Sequence, residues 1–206
     1  MRDFARATIA LLILAMTPSA DVRPLTGIWR IDFTNFSFPW DEEMGDSVPS
    51  AWHWIIPPPR TRIQVVDGVH HFYSHGQDQY EREHTPRITL HSVTYGDLNV
   101  NGTQQAAVHL NYSSGGTANW DFLYIYALRH GRPKLLGLLA SGSRADGGLV
   151  NVSIAGGYLI LDFADAERRV GDCCSEGYIR VHYRWRSGAF VEEGPREKGD
   201  LPLRER

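Results

Sequence analysis

Eight short runs rich in valine, isoleucine, leucine and tyrosine follow one another along the second half of this chain. They lie at 88–95, 105–112, 122–128, 134–139, 149–154, 158–163, 178–185 and 189–192. Ala155-Gly156-Gly157 and Ser187-Gly188 supply turn chemistry between neighbouring runs. Nothing long enough for a crossover helix separates the runs that these turns join, so antiparallel pairing is expected. The expectation is a mainly β fold with little helix, an antiparallel meander forming a sandwich or an open barrel. In 178–185 the apolar residues Ile179, Val181, Tyr183 and Trp185 alternate with Arg180, His182 and Arg184, which predicts one core face and one wet face.

The first half is less regular. Residues 22–54 are rich in aromatics and broken by Pro24, Pro39 and Pro49, and one strand is expected at 28–33. Asp67-Gly68 between 61–66 and 69–73 is the signature of a type I′ hairpin, because both turn positions need positive φ. The polar stretch 74–87 reads as a long loop or one short helix. Beyond Glu192 the chain is charge-rich with two prolines and two glycines, so 192–206 is expected as a disordered charged tail.

Arg2 and Arg6, an apolar run at 7–16, and then Thr17, Pro18, Ser19 and Ala20 follow signal-peptide order. An apolar helix of that length covers about 15 Å, half the hydrocarbon thickness, so no lasting membrane span is expected. The organisation is therefore a signal peptide at 1–20, a single β-rich domain at 21–191 and the tail, in a periplasmic or extracellular compartment. A formal net charge of -3 offers no basic face for phosphates, which argues against nucleic acid as a partner.

Four features carry candidate chemistry. Trp40, Trp52 and Trp54 stand among prolines, the amphipathic composition of a ligand-binding surface, although the same residues could cap the core. Asp97, Asn99 and Asn101 place oxygen side chains at alternate positions before Gly102, as at the start of a calcium loop. With one carboxylate among them, the competing reading is an Asx-rich turn that satisfies its own backbone. Cys173 and Cys174 are the only cysteines, read as a vicinal redox clip, a soft-metal thiol pair or inert buried thiols. Among nine histidines, His70, His71 and His75 lie close together, but a strand at 69–73 sends the first two to opposite faces. No resident cofactor is expected beyond calcium or a soft metal at these positions. No Gly-x-Ser-x-Gly elbow is present.

The segment Asn35-Phe36-Ser37-Phe38-Pro39-Trp40, the 95–102 loop followed by Ala106-Ala107-Val108, Leu123-Tyr124-Ile125-Tyr126, the 131–136 segment, the cysteine pair and Tyr183-Arg184-Trp185 occur in this order. Together they resemble an uncharacterised family of secreted bacterial proteins. The resemblance spans roughly 35–191 and implies export and a shared β domain, but no activity. Asn101, Gln105 and Ser175 depart from that pattern, which weakens the calcium reading. A more distant similarity is to the mycobacterial LppP/LprE-type lipoproteins, whose lipid-attachment cysteine this chain lacks. The resulting expectation is an exported non-catalytic protein that binds an unknown protein or envelope component. The alternatives are a hydrolase of an envelope polymer or a metal-responsive protein.

Overall fold

The computed structural model describes residues 27–46, 52–73, 78, 80–81, 84–116, 119–143, 145–171 and 174–201. The signal-peptide segment lies outside them. The chain is mainly β, built from antiparallel sheets that do not close into a barrel. In chain order the elements are β1 (Ser37–Pro39), α1 (Glu42–Asp46), β2 (His53–Trp54), β3 (Arg62–Gln64), β4 (Val69–His71), β5 (Arg87–Gly96), β6 (Gln105–Ser113), β7 (Asn119–Arg129), β8 (Arg132–Ser141), β9 (Leu149–Ala155), β10 (Tyr158–Ala164), β11 (Arg169–Val170), β12 (Cys174–Ser175), β13 (Gly177–Arg186), β14 (Ala189–Glu192) and β15 (Glu197–Asp200).

Two sheets form the body. The central one runs β2-β8-β7-β6-β5-β4, so β5 to β8 are the expected meander. The second runs β14-β13-β10-β9, with β15 also on β13. All eight expected strands are present as β5 to β10, β13 and β14.

The two faces of the central sheet are buried in different ways. Ala107, Leu123, Ile125 and Leu139 meet Leu159, Leu161, Phe163, Val181, Tyr183 and Phe190 of the second sheet, which makes the sandwich. Val108, Leu110, Phe122, Tyr124, Tyr126 and Leu138 point the other way, onto Ile28, Phe33, Phe38, Trp40, Met44, Ile63 and Val65. The irregular amino-terminal stretch is thus a third layer. Burial on both sides explains why β7 reads as a nearly continuous apolar run over 122–128 rather than as an alternating one.

Three expectations are corrected. The strand expected at 28–33 is instead two 3-10 turns, Ile28–Arg30 and Phe33–Asn35. These drop both Ile28 and Phe33 onto the same core, while Asp32 accepts the Thr34 N–H at 3.0 Å. The Asp67-Gly68 turn has the expected positive φ values, 49° and 82°, but its ladder is the single bridge between Val66 and Val69. Its arms diverge because β3 pairs with β1 and β4 with β5. Residues 192–201, expected within the disordered tail, are ordered and contribute β15. Local composition is overridden there by the free β13 edge, where Gly177 to Arg180 pair with Asp200 to Glu197.

Candidate functional site

The amino-terminal layer opens into a cleft of about 520 Å³ between the start of α1 and the turn after β2. Asp41 sets one wall: its carboxylate accepts the Met44 N–H at 3.1 Å, and Met44 is buried in the core. The other wall is fixed by β2 on the β8 edge and by the Ile55 N–H donating to the Leu138 carbonyl at 2.8 Å. From there the chain leaves the sheet through Pro57, Pro58 and Pro59, with Ile56 80% exposed beside them. Asp41, Glu43, His53 and Arg60 line the cleft together with Met44 and Ile55. It offers two carboxylates, an imidazole and a guanidinium over an apolar floor.

The three tryptophans are not one surface. Trp40 is 4% exposed, edge-on to Phe122 with ring centres 4.9 Å apart, on the amino-terminal side of the central sheet. Trp52 and Trp54 lie on the opposite side. Trp52 stacks on Phe163 at 4.0 Å and Trp54 on Phe190 at 4.7 Å. Both are half-buried, and the Arg196 guanidinium approaches the Trp52 ring at 5.2 Å. Their shared position is the edge where β2 joins the sandwich.

In the 97–102 loop both Asp97 oxygens accept backbone N–H groups, from Asn99 at 3.0 Å and Gly102 at 2.6 Å. The Asn101 side chain accepts the Thr103 N–H at 2.9 Å, and Gln105 holds the buried Leu98 N–H at 2.7 Å. This is the geometry of an Asx-rich turn that satisfies its own backbone. Cys174 is disulfide-bonded, and Cys173 lies outside the described residues. His70 Nδ1 is 2.8 Å from the Gln64 carbonyl and His71 stacks on Tyr73. His75 lies outside the described residues. Among the described residues no three His, Cys, Asp or Glu side chains converge as metal ligands.

The sequence reading passed over a buried polar cluster on the sandwich side of the central sheet. His109 and Asp121, 5% and 6% exposed, are joined by a 2.9 Å contact between His109 Nε2 and Asp121 Oδ1. Asp121 also accepts the Asn111 amide at 2.9 Å and, through Oδ2, the Leu149 N–H at 3.1 Å. It thereby ties β6, β7 and the start of β9 together. Next to it the β5–β6 register shifts between Leu90 and Ser92, leaving His91 as the extra residue of a bulge. The exposed His91 ring lies 4.7 Å from that of His109. Desolvation, then the neighbouring His109, lowers the His91 pKa, with Asp121 opposing. The available signal was His109, Asn111 and Ser113 at alternate positions among the apolar Val108, Leu110 and Tyr112, which points them to one face of the strand.

No family model matches the chain, nor does any curated protein or solved structure.

Proposed function

We propose that this chain is an exported, non-catalytic binding protein that engages a protein or another envelope component through the surface formed by residues 41–44 and 53–60. The observation that carries this reading is the cleft lined by Asp41, Glu43, His53 and Arg60, with Ile56 80% exposed on its proline-stiffened rim. A large apolar side chain presented by consecutive prolines loses little conformational freedom on binding. Charges of both signs beside it supply orientation. Export is supported by the signal-peptide order of residues 1–20 and by the family resemblance.

The reading is tested by placing a photo-crosslinking amino acid at position 56 in the producing cell, with the exposed Val100 position as control. A discrete adduct at 56 that is absent at 100 and lost in Arg60→Glu supports it. The same pattern at both positions, or none at either, rejects it.

One observation favours a second reading as a hydrolase of an envelope polymer. His53 shares the cleft with Asp41 and Glu43, so a general base and an acid stand at one opening. Turnover of wall glycan or peptide that disappears in His53→Ala would support it.

A further inference from the structure

The Asp121 carboxyl already accepts from the Asn111 amide and the Leu149 N–H, so we assign His109 Nε2 as the donor of its contact, which leaves the ring's free lone pair on Nδ1. Among the described residues Nδ1 has no hydrogen-bond partner, and neither do the ring nitrogens of His91. The His109 ring, in a residue only 5% exposed, therefore packs against a second imidazole with no hydrogen-bond partner, their centres 4.7 Å apart. A carboxylate holding the remote N–H of a histidine is also the arrangement that fixes tautomer and raises basicity at metal centres.

We propose that His91 and His109 form a two-imidazole site for a divalent transition-metal ion of the copper or zinc type, oriented by Asp121 and completed by water. A metal about 2.05 Å from each nitrogen lies about 3.2 Å from each ring centre. An ion shared by one nitrogen of each ring would then subtend about 95° between them for ring centres 4.7 Å apart, between the square-planar and tetrahedral values. The β5 bulge is what makes the pair: the inserted residue re-aims the His91 side chain. Two protein ligands make the site open and its metal exchangeable. The site is independent of the cleft lined by Asp41, Glu43, His53 and Arg60, so either reading can fail alone.

The test is titration of the full mature chain with Cu²⁺ and Zn²⁺, followed by calorimetry and, for Cu²⁺, by paramagnetic resonance. One equivalent of Cu²⁺ with coupling to two imidazole nitrogens is expected. His91→Ala, an exposed position whose loss leaves the core intact, should weaken that site at least tenfold. Asp121→Asn should weaken it about tenfold or more. Absence of Cu²⁺ binding at 100-fold metal excess, or a loss below tenfold in His91→Ala, overturns the proposal.

Discussion

Single side chains here do more to hold loops than to line a reactive centre. Asp97 is the clearest case, since its two oxygens replace hydrogen bonds that the backbone of its own loop cannot make internally. Asp97→Ala is expected to cost about 1–2 kcal/mol in urea unfolding, the usual loss when a capping carboxylate leaves amides unserved. Added calcium should leave the midpoints of wild type and variant unchanged. Glu193 carries a pH signature. The Tyr158 hydroxyl, and after it Arg184 and Arg186, lower its pKa in the fold. A carboxyl with a depressed folded pKa contributes stability above its unfolded value, and that contribution disappears as pH falls through the folded value. Glu193→Gln should therefore lose less stability than wild type on acidification below about pH 4.5, measured as melting temperature against pH. The buried His109–Asp121 pair was legible only as a period-2 pattern, because on a strand covered on both faces hydropathy no longer distinguishes one face from the other.

At the scale of elements, β15 shows where sequence reading stops. Glu197-Lys198-Gly199-Asp200 has the composition of a solvated tail, yet it forms a strand because β13 is longer than β14 and leaves an edge to fill. Side chains reinforce the pairing. Lys198 Nζ lies 3.2 Å from Asp165 Oδ2, which is buried and accepts no aligned hydrogen bond, and Arg168 reaches Asp200 at 2.7 Å. Lys198→Met leaves the Asp165 carboxylate without its counter-charge and is expected to lower the urea midpoint more than Glu167→Gln, whose carboxylate is exposed. By contrast β5 to β10, β13 and β14 were readable with boundaries within a few residues, since glycine turns and β-branched runs agree locally with the fold they serve.

For the whole molecule, the central sheet carries two cores of different origin. The sandwich core was visible in advance as strands in need of a partner sheet. The amino-terminal layer was not, because its 3-10 turns and the Phe33, Phe36, Phe38 and Tyr126 contacts follow no local period. Phe163→Ala removes the ring on which Trp52 stacks and leaves a cavity between the sheets. A loss of about 3–5 kcal/mol is expected, with a red-shifted tryptophan emission as the companion readout. The shared edge of β13 has a further consequence in time. Its upper half is covered by a hairpin neighbour almost as soon as it emerges, whereas its lower half waits for residues 197–200, some twenty positions later. Where the chain folds as it emerges amino end first, a nearly complete sandwich passes through an interval with one live strand edge, which residues 197–200 then seal.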